Sequence, residues 1–132
     1  MDNSASQLSI YRLEKSKEEL EISKKILNEN FIAKSLNSSY YSMFHATRAL
    51  LATEKVDSKK HAGIIMFFNR LFIKTGKIPG DYFTFLNTAF NIRIQSDYRD
   101  FYVATKEDAK QQIYNAEKFL EMTKDYLSKL EN

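Results

Sequence analysis

The chain contains no cysteine and no tryptophan, and it has only one proline and three glycines among 132 residues. The lack of cysteine excludes disulfides, thiolate zinc sites, iron–sulfur clusters and a cysteine nucleophile. The scarcity of proline and glycine leaves few turn positions, which favours long helices over many short strands. The length suits a single domain over residues 1–132, with one hydrophobic core.

Long apolar runs are also missing. The longest covers residues 62–68, far short of the roughly 20 apolar residues that a membrane-spanning helix needs. The first ten residues, MDNSASQLSI, have neither a basic region nor an apolar core, so no signal peptide is expected. These features predict a cytoplasmic protein that does not interact with membranes.

Apolar and small residues recur at helical spacing along most of the chain. In the first such stretch, Ser16 and Ser23 alternate with leucines on one stripe, where small side chains let a neighbouring helix approach closely. The predicted helices cover residues 6–28, 32–54, 59–74, 81–97 and 105 to about 130. With no strand pattern, the predicted fold class is all-α, an antiparallel up-and-down bundle of four to five helices.

Several residues have the chemistry of helix ends. Asp57 or Ser58 is predicted to cap the third helix, Asp81 the fourth and Thr105 the fifth. The sequence TKED at the fifth helix approximates a capping box. Gly76 suits the left-handed position after the third helix. Because the third helix is apolar nearly all round its middle, we expect it to be the most buried.

The two histidines do not form a metal-binding pattern. A carboxylate-bridged di-iron site needs Glu-x-x-His pairs, but Ser42 and Ser58 stand three residues before His45 and His61. The sequence also lacks a P-loop and a G-x-S-x-G elbow. We therefore expect no metal and no cofactor. His45 is interpreted as a hydrogen-bonded core or boundary imidazole, and His61 as a local contact at the start of the third helix.

Positive charge is concentrated in the middle of the chain. The net charge is +3, and residues 54–77 carry six basic and two acidic side chains. A modest basic patch of this kind attracts a phosphate backbone or an acidic partner protein. The alternative interpretation is a solvated lysine face.

The stretch NIRIQSDYRDFY concentrates charge and phenol groups at the end of the fourth predicted helix. Arg93 follows Leu86 and Phe90 at helical spacing, so it borders the apolar stripe. Asp97 lies one turn further on, within i,i+4 reach. One interpretation is a structural Arg93–Asp97 pair with Tyr98 packed beside it. The others are a polar cleft for a phosphate or nucleotide, and a protein-partner surface.

Four segments together resemble the small HEPN-domain proteins of bacteria and archaea. They are SSYYSMFHATRALL, HAGIIMFFNRLFIKTGKI, NIRIQSDYRDFY and EDAKQQIYNAEKFLE. Their order and spacing over residues 8–130 carry the resemblance. It implies a four- or five-helix bundle that is commonly a homodimer. Many members of the family are encoded beside a minimal nucleotidyltransferase and act as a toxin or as its binding partner.

The family's active members are metal-independent ribonucleases, in which an Arg is followed, after four to six residues, by a His. By this resemblance Arg93 occupies the Arg position, but Tyr98 stands where the His is expected. A phenol with a pKa of about 10 is poorly suited to acid–base catalysis near neutral pH. The chain is therefore expected to bind its target and not to cleave it. Part of the family shares this DY form.

The expected binding residues are Arg93, Asp97, Tyr98 and Tyr102. In related two-component systems the nucleotidyltransferase adds adenylate to a Tyr seven residues past the Arg. Here that position is Asp100, and Tyr98 and Tyr102 on either side of it are the candidate acceptors.

The predicted function is that of a HEPN-domain protein in a two-component, toxin–antitoxin-type system. It binds RNA, a nucleotide or its nucleotidyltransferase partner. One alternative is a metal-independent endoribonuclease toxin that uses Arg93, and a second is a purely structural helical interaction module.

Overall fold

The computed structural model describes residues 3–131, and helices account for most of them. The helices are α1 (Asn3–Asn28), α2 (Ile32–Thr53), α3 (His61–Phe68), α4 (Gly80–Tyr98) and α5 (Lys106–Glu131), and a π-helical turn, Asn69–Ile73, extends α3. The predicted all-α helical bundle is confirmed, and residues 3–131 contain no strand. None of the described helices is long and apolar enough to cross a membrane.

A row of serines joins α1 to α2. Ser9, Ser16 and Ser23 recur every two helical turns, all three are buried, and their hydroxyls donate to backbone carbonyls of α2 at 2.6–2.8 Å. The acceptors are Ala49, Ser42 and Ser35, respectively. Their reversed order along α2 shows that the two helices run antiparallel. The small side chains allow this close approach, as the serine spacing predicted.

Helix α2 is the most buried helix, so the prediction that α3 holds this place is wrong. α2 packs against α1, α3, α4 and α5, and its side chains at Tyr40, Met43 and Leu50 are completely buried. α3 lies at the edge of the bundle and buries only the face that carries Ile64, Ile65 and Phe68. A helix's position in the bundle, more than the apolar character of its side chains, decides how much of it is covered.

Two of the four predicted helix ends are found and two are not. At α5, Thr105 Oγ1 accepts from the Asp108 N–H at 3.0 Å, and Asp108 Oδ2 accepts from the Thr105 N–H at 3.3 Å, which makes a reciprocal capping box. Gly76 adopts the left-handed conformation, with φ +78°. The predicted cap at Asp81 is wrong, because α4 begins directly after the preceding proline and Asp81 lies inside its first turn.

The predicted cap of α3 by Asp57 or Ser58 is also wrong. Lys60 occupies the cap position without a side-chain cap. The Asp57 carboxylate instead accepts from Arg12 Nη2 at 2.9 Å and from Arg48 Nη2 at 3.0 Å. Arg12 is almost fully buried and also donates from Nη1 to the Arg48 carbonyl at 2.9 Å. The carboxylate therefore ties the α2–α3 connection to both α1 and α2.

Asp57 also makes stability depend on pH. Burial disfavours the Asp57 carboxylate, but hydrogen bonds from Arg48 and from the Ser58 N–H, with the charges of Arg48 and Arg12, outweigh burial and lower its pKa. A group whose pKa is lowered in the folded state contributes stability above its unfolded pKa of about 4. That contribution is lost as the pH falls through the lower, folded pKa.

We predict that Asp57→Asn lowers the free energy of unfolding by about 1–2 kcal/mol at pH 7. The substitution removes the charge that compensates the buried Arg12. The loss of unfolding free energy is limited because Asp57 itself is half exposed to solvent. The difference from wild type should shrink below about pH 4 as the native carboxylate protonates. Urea unfolding from pH 3 to 7 measures it. Asp125→Asn, which breaks an exposed pair with Lys129, is the control and should cost below about 0.5 kcal/mol. A pH-independent difference would contradict the assignment.

Candidate functional site

Arg93 projects from α4 onto an aromatic pair of α2. Its Nε donates to Asn37 Oδ1 at 3.2 Å. Its Cζ lies 5.3 Å from the centroid of the Tyr41 ring and 5.6 Å from that of Tyr40, which is within cation–π range. The side chain is 21% exposed. Two aromatic rings and an amide thus fix the direction of a half-buried guanidinium.

The Arg93–Asp97 pair exists, but it is not buried. Arg93 Nε lies 3.7 Å from Asp97 Oδ2, and the Asp97 side chain is 42% exposed. The distance exceeds that of a hydrogen bond, and partly exposed pairs of this kind contribute at most about 1 kcal/mol. Tyr98 is 75% exposed and does not shield the pair. The geometry therefore gives little support to the structural interpretation of this corner.

The rest of the Arg93 guanidinium has no acceptor among the residues that the structure describes. Neither Nη1 nor Nη2 donates a hydrogen bond within residues 3–131, whereas Nε is held by Asn37. The side chain lines a groove of about 450 Å³ between α2 and α4, which also contains Lys34, Asn37, Tyr41, Ser96 and Asp97. A planar guanidinium with free terminal donors suits the oxygens of a phosphate group.

Tyr98 and Tyr102 do not join this groove. Tyr98 ends α4, and Tyr102 is half-buried in the connection to α5. Between them, Phe101 is fully exposed with a left-handed φ of +64°, a conformation that bulky residues rarely adopt. The four residues predicted to bind together are therefore separated: Arg93 and Asp97 line the groove, Tyr98 lies at the exposed end of α4, and Tyr102 lies half-buried in the connection to α5.

His61 contacts the aromatic residues of α2 in a way that the sequence did not predict. Its Nδ1 lies 2.6 Å from Tyr40 Oη, and its ring stacks on Phe44 with 4.3 Å between centroids. Burial, followed by the charges of Arg93 and Arg48, lowers the pKa of His61. The predicted local contact at the start of α3 is wrong, because the partner is on α2. Only the packing of α3 on α2 creates this contact, so sequence spacing contained no signal for it.

His45 lies on the same helix as Tyr40 and Tyr41 but has a different environment. It is half-buried, and its Nδ1 has no hydrogen-bond partner within residues 3–131, so the predicted hydrogen bond is not found at that atom. Burial, with the charges of Lys15, Arg48 and Arg12, lowers its pKa to about 4, so the ring is neutral at pH 7. Among the described residues, no group of three His, Cys, Asp or Glu side chains is placed to hold a metal ion.

Comparisons with known proteins agree with this architecture. The HEPN domain profile matches residues 10–126. A Methanocaldococcus jannaschii protein named "Putative toxin MJ0142" is 36% identical over 115 residues, which cover 87% of this chain and 78% of that protein. "Putative toxin MJ0605" of the same organism is 36% identical over 107 residues, with 80% and 79% covered.

A bacterial relative is similar over a comparable share of the chain. A Thermotoga maritima protein named "UPF0332 protein" is 32% identical over 111 residues, which cover 84% of each chain. The match to the family profile spans all five helices, as the four resembling segments predicted. The chain belongs to the HEPN domain family.

Proposed function

We propose that this protein is the HEPN-domain component of a two-component, toxin–antitoxin-type system with a nucleotidyltransferase, and that it binds phosphate groups of RNA or of a nucleotide at Arg93. One observation carries the binding proposal. Tyr40, Tyr41 and Asn37 hold the Arg93 guanidinium, and its terminal nitrogens have no acceptor within residues 3–131. Such preorganisation lowers the entropic cost of binding.

Two further observations support the system to which we assign the protein. Relatives at 36% identity carry toxin names, which favours a toxin–antitoxin class. The end of α4 and the α4–α5 connection expose Tyr98, Phe101 and Val103, and three large exposed apolar side chains within six residues favour a protein–protein contact site. We assign this connection to the nucleotidyltransferase partner, and we propose that the protein acts as a homodimer.

An endoribonuclease toxin that uses Arg93 is the second candidate function. The observation in its favour is the position of His61, whose ring centroid lies 5.7 Å from that of Tyr41, the ring that also supports Arg93. The fold thus supplies an imidazole near the arginine, although the sequence lacks one at the family's position. A metal-free assay on mixed RNA tests cleavage directly. A purely structural module would neither bind nor cleave.

We predict that Arg93→Gln weakens binding of a labelled single-stranded RNA at least tenfold, because a phosphate contact is lost. The slope of the logarithm of the binding constant against the logarithm of the salt concentration should become shallower by about one. The unfolding free energy of the variant should change by less than about 1 kcal/mol. Fluorescence anisotropy at several salt concentrations measures binding. Arg70→Gln, at an exposed arginine of the π-helical turn, is the matched control. Equal binding by wild type and Arg93→Gln would refute the phosphate site.

Asp97→Asn should tighten the same RNA binding by about two- to fivefold. The Asp97 carboxylate lies 3.7 Å from Arg93 Nε, so it partly neutralises the arginine and repels phosphate oxygens at a partly exposed position. Fluorescence anisotropy at low salt measures the gain in RNA affinity, and this gain should disappear at high salt. Weaker binding together with a large loss of stability would instead support the structural pair.

The partner assignment predicts that Phe101→Asn weakens binding to the nucleotidyltransferase at least tenfold. Asn tolerates the left-handed conformation at this position, so the variant removes the exposed ring without strain. Biolayer interferometry against the proposed nucleotidyltransferase partner measures binding. Tyr114→Asn, at an exposed aromatic of α5, is the control. Binding of Phe101→Asn that equals that of wild type would contradict the assignment of the α4–α5 connection to the interface.

Mass spectrometry after co-expression with the partner should show an added adenylate on Tyr98 or Tyr102.

A further inference from the structure

We propose a second phosphate-binding site, separate from the Arg93 groove, where the end of α2 meets the start of α3. It is a groove of about 610 Å³, and its lining residues are Phe44, Arg48, Asp57, Ser58, Lys59 and His61. The proposal does not depend on Arg93 binding a ligand. The residues that support it are His61, Arg48 and Lys59, through their hydrogen-bond donors and their charges.

The hydrogen bond from Tyr40 determines which ring nitrogen of His61 carries the proton. Tyr40 is completely buried, and His61 Nδ1, at 2.6 Å, is the only hydrogen-bond partner of its hydroxyl among the described residues. Burial raises the pKa of Tyr40 far above its usual value, so the phenol keeps its proton. A buried hydroxyl must donate that proton to an acceptor. Nδ1 is therefore the acceptor, and His61 carries its own proton on Nε2.

His61 Nε2 consequently presents a hydrogen-bond donor. It donates to no residue within 3–131, and the ring is only half-buried where it lines the groove. Stacking on Phe44 at 4.3 Å, with 13° between the ring planes, fixes the direction of that donor. Because burial and the charges of Arg93 and Arg48 lower the pKa of His61, the ring stays neutral at pH 7 and donates without changing its charge.

The charges around the groove are unequal. Arg12 and Arg48 share the single Asp57 carboxylate, and Lys59 has no ion-pair partner within residues 3–131. Arg48 Nε is buried without an acceptor among these residues, so Asp57 does not satisfy the whole guanidinium. Asp57 already accepts from both guanidiniums and from the Ser58 N–H. Among the residues that line the groove, two cations, Arg48 and Lys59, face one engaged carboxylate, Asp57, which leaves the groove net positive.

These features define the ligand as a tetrahedral oxyanion. Arg48, Lys59 and the Nε2–H of His61 offer donors only, and the one carboxylate in the lining, Asp57, already accepts from Arg12, Arg48 and the Ser58 N–H. The donors that remain match phosphate oxygens. A free phosphate, a mononucleotide and an RNA backbone all present this group. The Tyr41 ring lies 5.7 Å from His61 and 5.3 Å from Arg93, so one RNA strand is able to reach both grooves.

The test uses nuclear magnetic resonance of the full chain labelled with ¹⁵N. The His61 side-chain nitrogens should report the Nε2–H tautomer, and the Nε2 signal should shift on titration with inorganic phosphate. Lys59→Gln should weaken phosphate binding about five- to tenfold. Lys60→Gln is the matched control, because this neighbouring exposed lysine does not line the groove, and its affinity should stay within twofold of wild type.

A second variant separates ligand binding from folding. His61→Asn keeps an acceptor for Tyr40 near the position of Nδ1 but removes the Nε2 donor, so it should fold and lose phosphate binding. An Nδ1–H tautomer, or an equal loss in Lys59→Gln and Lys60→Gln, would overturn the proposal. So would the absence of a His61 shift with inorganic phosphate, adenosine monophosphate and an eight-nucleotide RNA.

The three probes also identify the source of the phosphate group. Comparable affinity for all three supports a site for small phosphate compounds, and an RNA affinity at least tenfold higher supports a backbone site. Arg93→Gln in the same titrations keeps the two proposals distinguishable. If it loses RNA while Lys59→Gln and His61→Asn bind all probes normally, the second site is refuted and the Arg93 site stands. The reverse pattern refutes only the Arg93 site.

Discussion

The close packing of α1 on α2 positions everything else in the bundle. Buried hydroxyls of Ser9, Ser16 and Ser23 replace bulky side chains and donate to the backbone of α2, so the two helices approach closely. With α1 covering one side, the aromatic residues Tyr40 and Phe44 of α2 are left to meet α3 and α4. Arg93 and His61, polar groups of the neighbouring helices, pack against those rings.

Two of those polar groups come from different helices and use the same support. Arg93 of α4 lies over Tyr40 and Tyr41, while His61 of α3 bonds to Tyr40 and stacks on Phe44. The aromatic row therefore holds an arginine on one side and an imidazole on the other, each half-buried and with donor atoms left for a ligand. Because Tyr40 and Phe44 are themselves buried, their part is to position these polar groups.

Asp57 makes the second of these arrangements possible. Its bonds to Arg12 and Arg48 hold the α2–α3 connection against α1 and α2. That connection leads directly to His61, the first residue of α3, whose imidazole contacts Tyr40. A residue whose sequence position predicted a helix cap thus shapes a candidate binding groove through an ion pair between distant parts of the chain.

Sequence alone determined the helices and the all-α bundle, because helical periodicity and capping patterns such as TKED are local properties of the chain. The family was indicated by the resemblance of four segments to HEPN-domain proteins. Sequence alone also identified Arg93 and its neighbour Asp97, which lie on one helix at fixed spacing. Only the tertiary structure decided that α2 is the central helix, that Tyr98 lies outside the groove, and that His61 meets Tyr40. These depend on contacts between helices, for which spacing along one segment has no signal.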